Sequence, residues 1–139
     1  MLHSIGAVVA GYAAMVVLVM AGSMAWMAAR VPGGLKAMRE KMKSGGAAAM
    51  PTPPASYLAF NLALSFFAAV LGGWVTRGIA PSAPTRHLIA LGAVVIVMGF
   101  MSSRRPGSDR QPGWYRFVIP FVGLAGIALS TLLSSGPGG

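Results

Sequence analysis

The sequence predicts an all-α membrane protein, a bundle of four transmembrane helices connected by short loops. Of its 139 residues, 55% are hydrophobic and 9% are charged, against roughly 25% charged in an ordinary soluble domain. The basic residues, which give a net charge of +9, lie between the apolar segments rather than within them. These segments must be helices, because lipid cannot satisfy backbone hydrogen bonds and four strands cannot close a barrel.

Each apolar segment is long enough, or nearly so, to cross about 30 Å of hydrocarbon. The predicted helices cover residues 4–29, 57–78, 86–103 and 114–135 of one membrane domain, 1–139. The first apolar run is too long for a secretory signal, so we expect it to remain as a helix. The third is short, from Leu88 to Ser103, so Arg86 and Arg104 are expected to extend to the two interfaces. A basic loop, 30–56, and a disordered tail, 136–139, complete the predicted organisation.

The distribution of lysine and arginine predicts the orientation of the bundle. The first and third loops with their borders carry nine basic residues, and the second loop region carries two, Arg77 and Arg86. The excess of positive charge marks the cytoplasmic side, which places both termini outside. Four aromatic residues are expected at the cytoplasmic interface: Trp26, Tyr57, Trp114 and Tyr115.

Several chemistries lack the residues that they require. The only acidic residues, Glu40 and Asp109, lie in the two basic loops, and the chain has no cysteine. Paired-carboxylate catalysis, thiol chemistry and proton coupling through a carboxylate within the membrane are therefore not expected. The sequence favours a non-enzymatic protein without a cofactor.

Two pairs of residues are candidate ligands. His3 and His87 lie at the outer ends of their predicted helices and could converge on a haem or a metal, although metal sites usually need three or four ligands. The alternative is two polar side chains in contact with interfacial water. Met20 and Met24 share a helix face and offer thioethers suited to Cu(I). Methionine is also an ordinary filler of gaps between apolar helices, which is the favoured interpretation.

The first loop contains a possible amphipathic helix over residues 35–43. Its apolar residues Leu35, Met38 and Met42 recur at helical spacing. Anionic lipid headgroups are the predicted partners of its basic residues Lys36, Arg39, Lys41 and Lys43. A solvated loop that only obeys the charge rule is the alternative, since nine residues form a marginal helix without a surface.

The second predicted helix carries a regular face of small and polar residues. Asn61, Ser65, Ala69 and Gly73 recur every four residues, which lets another helix approach closely. In contrast, the bulky run Val94–Val97 of the third helix is expected to face lipid.

Asn61 is predicted to join its helix to a neighbour, because a primary amide in hydrocarbon needs a partner. Pro120 lacks an N–H and leaves the carbonyl of Arg116 without its helical donor. This carbonyl is one predicted partner of Asn61, and Ser23 of the first helix is the other.

One further pattern consists of Tyr57-Leu58, Asn61-Leu62, Ser65, the run 68–74 and Gln111-Pro112-Gly113-Trp114-Tyr115. With these residues, part of the chain resembles a family of small, uncharacterised four-helix proteins of the bacterial inner membrane. It implies a bacterial inner-membrane location and brings no activity with it.

Two functions are compatible with these residues, and the sequence favours the first, because few polar residues within the apolar segments could line a transport path. The first is a structural or accessory subunit that associates through small-residue faces with itself or with a larger membrane complex; nucleic acid is not an expected partner. The second is a small oligomeric permease or channel for a neutral or anionic solute. An open cavity lined by Asn61 together with Tyr12 or Ser65 would favour the second.

Overall fold

A computed structural model describes residues 2–30, 33–45, 52–80, 84–104 and 111–134 of the chain. These residues form five helices: α1 (Leu2–Arg30), α2 (Gly34–Gly45), α3 (Ala55–Ile79), α4 (Pro84–Ser103) and α5 (Gly113–Ser134). Four of them, all except α2, are long and apolar enough to cross a membrane. The predicted all-α bundle of four membrane-spanning helices is therefore confirmed, and its architecture is that of a multi-pass membrane protein.

Helix α3 lies between α1 and α5 and contacts both along much of its length. Helix α4 packs mainly on α5 and has a smaller contact with α1. The buried core is small, and its members are Met15, Ala68, Ala69, Leu88, Leu91, Val95 and Ile127. Large apolar side chains such as Val17, Phe67 and Leu132 are about two-thirds exposed, at 64%, 64% and 70%. Lipid can cover such a surface, whereas water would make it costly.

Glycines allow α3 to approach its two neighbours. A Cβ atom placed on Gly72 would lie 2.8 Å from the carbonyl oxygen of Gly11 on α1, and would also meet the side chain of Met15. On the other side of α3, a Cβ atom on Gly126 of α5 would lie 2.6 Å from the carbonyl oxygen of Phe66. Both contacts bring backbones together, as small residues do between helices in lipid.

Helix α4 begins at Pro84 and is 20 residues long, so it contains Arg86, and the extension of Arg86 and Arg104 to the two interfaces stays a prediction. The helix corrects one other expectation. The prediction that residues 94–97 face lipid is wrong for Val95, which is only 9% exposed and belongs to the core. Four consecutive residues cover more than a full helical turn, so they cannot all face the same side.

The basic loop contains a helix, α2, which extends on both sides of the segment 35–43 and contacts α1. Gly33 and Gly34, with φ of +83° and +57°, make the turn between the two helices, a conformation that favours glycine. Lys36, Arg39 and Lys43 are exposed. The structure does not describe the side chain of Lys41 or those of the three apolar residues of this segment. The predicted disordered tail, 136–139, also lies outside the described residues.

The contact between α1 and α3 makes Gly72 sensitive to a single methyl group. We expect Gly72→Ala to lower the free energy of unfolding by roughly 1–3 kcal/mol, because the added carbon must push the α1 backbone and Met15 aside. Gly78→Ala is the matched control on the same helix, since a Cβ atom there meets nothing within 4 Å. Unfolding in mixed detergent micelles measures both, and equal stability of the two variants would contradict this packing.

Candidate functional site

We call the end of the bundle where α1 and α4 finish and α5 begins the basic end, after Arg30, Arg104 and Arg116. A cavity of about 500 Å³ lies between the four long helices and opens towards this end. Cavities of about 300–1,000 Å³ are typical of small-molecule binding sites. The cavity is thus large enough to be the candidate functional site.

Asn61 forms the polar centre of the cavity. Its side-chain nitrogen donates a hydrogen bond of 2.6 Å to the hydroxyl of Tyr115 on α5. Ser23 on α1 donates a longer hydrogen bond, 3.4 Å, to the side-chain oxygen of Asn61. One amide therefore connects three helices, and both of its polar atoms are satisfied although the residue is only 9% exposed.

The partner on α5 differs from the predicted one. The sequence pointed to the carbonyl of Arg116, but the hydroxyl of Tyr115 accepts the hydrogen bond from Asn61. Tyr115 was expected at the interface, yet it is only 1% exposed. Its spacing of four and eight residues from Ile119 and Gly123, which also line the cavity, places it on the inward face of α5. The sequence alone does not single out this face, because Phe117, Phe121 and Ala125 have the same spacing on another face of α5.

The small-residue face of α3 divides into two parts. Asn61 and Ser65, nearer the basic end, line the cavity. Ala69 and Gly73 are buried against α5 instead: a Cβ atom on Gly73 would collide with the side chain of Ser130. The predicted face is thus a cavity wall over one half and a helix contact over the other.

Pro120 also lines the cavity, and it contacts α4. A Cβ atom on Gly99 of α4 would lie 2.8 Å from the Cγ atom of Pro120, so the glycine leaves room for the proline ring. The proline thereby sets the spacing between α4 and α5 next to the cavity.

The remaining wall is apolar, and part of it is exposed. Val16 and Met20 of α1 and Met98 of α4 line the cavity, and they are 36%, 54% and 36% exposed. The exposed part of the wall therefore lies where α1 and α4 border the cavity.

The rim at the basic end is polar. It consists of Ser102 and Ser103 at the end of α4, Gln111, and Arg116 in the first turn of α5. The guanidinium group of Arg116 is half-buried and donates a hydrogen bond of 3.4 Å to the backbone carbonyl of Gln111. Among the described residues, Arg116 is the charged side chain that lines the cavity.

The opposite end of the bundle is closed. Thr76 is fully buried, and its hydroxyl lies 3.3 Å from the carbonyl oxygen of Ala7 on α1 and 2.9 Å from that of Gly72. Arg77 donates a hydrogen bond of 3.5 Å to the carbonyl of Thr131 on α5. Helix α3 is thus tied to both neighbours beyond the deep end of the cavity.

The candidate ligand residues do not form a described metal site. His87 is 9% exposed at the start of α4, and the side chain of His3 lies outside the described residues, so their convergence stays a prediction. Met20 lines the cavity with Met15 and Met98, whereas Met24 does not and is 48% exposed. The described part of the chain holds no group of three or more histidine, cysteine or acidic residues suited to a metal.

Comparison of the chain with protein-family models, with curated proteins and with solved structures finds no match. The assignment of a function therefore rests on the cavity and the residues that line it.

The hydrogen bond between Asn61 and Tyr115 can be measured with a double-mutant cycle. We expect Asn61→Ala and Tyr115→Phe to show a coupling of ~0.6–1.7 kcal/mol in unfolding experiments, the range found for such bonds between membrane helices. Asn61→Ala combined with Ser130→Ala is the control, because Ser130 lies near the far end of α5, and distant pairs are additive. Additivity in both cycles would show that the side-chain contact does not contribute.

Proposed function

We propose that the protein is a non-enzymatic permease that moves a neutral or anionic solute through the cavity between its four long helices. The observation that supports this proposal most is that Asn61 lines an open cavity together with Tyr12 and Ser65. These are three of the few polar side chains within the apolar segments. A chain that served only as a packing unit would have no need for a cavity that collects them.

The alternative function, an accessory subunit, has less support on α3. It depends on small-residue faces that are available to another chain. On α3, Ala68 is 1% exposed, Ala69 is fully buried, and Gly72 and Gly73 contact α1 and α5 within the same chain. On α1, Gly6 is exposed and stays available to a partner.

The charge of the cavity favours neutral and anionic solutes. Arg116 places a guanidinium group at the rim, and the lining that the structure describes includes no aspartate or glutamate. A cation would meet the arginine at the rim before it reached a favourable partner, whereas an anion would be attracted. The positive charge of the whole basic end acts in the same direction.

Transport requires a second state in which the opposite end opens. In the present state, the contacts of Thr76 with α1 and of Arg77 with α5 close that end. We propose that these contacts separate while the basic end narrows around Asn61 and Tyr115. The first state would then accept the solute, and the second would release it.

Thiol accessibility tests this proposal, because the chain has no cysteine of its own. Ser65→Cys places a thiol in the cavity, and Ala63→Cys is the control on the exposed, lipid-facing side of the same helix. We expect a charged, membrane-impermeant thiol reagent at the basic end to modify Ser65→Cys about tenfold faster or more, since thiolate reactivity needs water.

A permease also requires slower modification of Ser65→Cys by the same reagent from the opposite side. Complete protection from that side, while the thiol reacts at the basic end, would leave a one-sided binding site and overturn the transport proposal. Equal rates for Ser65→Cys and Ala63→Cys would show that water does not enter the cavity.

We further propose that the protein lies in a bacterial inner membrane with its basic end in the cytoplasm. The nine-to-two asymmetry of basic residues supports this orientation. A reporter enzyme that is active only outside the cytoplasm, fused to the C-terminus, is expected to give activity, and one that is active only inside is expected to be silent. The reverse pattern would place the cavity opening on the external side.

A further inference from the structure

We infer that the ligand of the cavity is an anionic amphiphile with a single hydrocarbon chain, which enters from the bilayer between α1 and α4. This inference rests on the proposed function in one respect, that the cavity is a binding site, and does not depend on transport. The charged headgroup would lie at Arg116, and the chain would lie along the apolar wall.

The wall of the cavity suits a flexible chain. Met15, Met20 and Met98 supply three of its side chains, and Val19 and Ile119 lie beside them. Methionine side chains are flexible and polarizable, so they adapt to apolar ligands of different shape. A small polar solute would leave these side chains without an apolar partner.

The rim suits an anionic headgroup. Arg116 lies on the third residue after Gly113, where α5 begins, so it lies within about one helical turn, 5.4 Å, of the membrane boundary. Its guanidinium group can bind a carboxylate or a phosphate with two parallel hydrogen bonds. Ser102, Ser103 and Gln111 add polar groups around the same rim.

The polar rim and the apolar wall follow each other in the same order as the headgroup and the chain of a lipid molecule. The rim residues lie at the ends of the helices, and Met15, Met20 and Met98 lie further along them. We therefore expect a bound amphiphile to keep the orientation that it has in the bilayer. Val16, Met20 and Met98 line the cavity and are also exposed, so the chain would enter between them without a passage through water.

Two simpler ligands fit less well. A small anion would bind Arg116 but leave the apolar wall facing water. An uncharged chain would contact the apolar wall. It would also remove water from the guanidinium group without an anion to replace that water, which is costly for a half-buried charge. The combination of a chain and a negative headgroup satisfies both parts of the site.

Photo-crosslinking of the full chain in phosphatidylcholine nanodiscs tests the inference. The probe is palmitate with a photoactivatable diazirine in mid-chain, in a buffer above the pKa of its carboxyl group. We expect crosslinks to the cavity-lining parts of α1 and α4, around Met20 and Met98. Unlabelled palmitate should compete, whereas hexadecanol, which lacks the charge, and butyrate, which lacks the chain, should not.

Variants separate the headgroup contact from general lipid binding. Arg116→Gln is expected to reduce crosslinking about tenfold or more, because hydrogen bonds to charged groups are worth about 1.5–3 kcal/mol. Arg116→Lys keeps the charge but loses the two parallel hydrogen bonds, so its crosslinking should fall between that of Arg116→Gln and that of the unchanged protein. Arg104→Gln is the matched control, since Arg104 is exposed at the same end and does not line the cavity.

A second pair of variants avoids the half-buried arginine and any effect on folding. Ser102→Trp places a large ring at the exposed rim and is expected to block crosslinking. Met101→Trp, on the adjacent residue, is the control, because Met101 is 60% exposed and does not line the cavity.

Three results would overturn the inference: crosslinks spread evenly over lipid-facing residues, competition by hexadecanol or butyrate equal to that by palmitate, or equal binding by Arg116→Gln and Arg104→Gln.

The outcome of this experiment is separable from that of the transport proposal. Modification of Ser65→Cys from both sides without palmitate binding would contradict only the inferred amphiphile. Palmitate binding together with modification from one side only would contradict only the transport proposal.

Discussion

The close approach of α3 to both α1 and α5 is the contact on which the rest of the structure depends. Lipid provides little hydrophobic force between helices, so association relies on close packing and a few hydrogen bonds. Gly11 and Gly72 bring α1 to α3, and Gly73 makes room for Ser130 of α5. Both contacts lie in the half away from the basic end. That half is fixed tightly, and the other half is left to be shaped by larger side chains.

The cavity is a consequence of this division. Nearer the basic end, Asn61 connects α1, α3 and α5 through Ser23 and Tyr115, and Gly22 of α1 meets the side chain of Leu64 rather than the backbone of α3. A hydrogen-bonded connection holds helices at a greater separation than glycine contacts do, because side chains rather than backbones meet. The space between the helices is consequently lined by polar atoms on one side and methionines on the other. Along α3, the contacts with neighbouring helices thus change from backbone contacts at the glycines to side-chain contacts at Asn61, and the cavity lies beside the second kind of contact.

The sequence was sufficient to predict the four spans, because length and composition alone decide whether a helix can cross lipid. It also identified Asn61 and the small face of α3, since both stand out in an apolar segment. It did not predict the cavity, the role of Tyr115 or the burial of Val95. Nearly every residue of a membrane helix is apolar, so the contrast that reveals an inward face in soluble helices is missing. Which small residues meet one another depends on the packing of all four helices.

Arg116 shows how the charge rule can hide a functional residue. In the sequence it is one of nine basic residues that set the orientation, and nothing distinguishes it from Arg104 or Arg30. In the structure, Arg104 and Arg30 are exposed, whereas Arg116 is half-buried against the cavity. A charged residue that only sets the orientation of the bundle gains nothing from burial, because a buried charge loses its hydration. The hydrogen bond to the carbonyl of Gln111 holds Arg116 in this position, and a negatively charged ligand at the rim would add a partner for its charge.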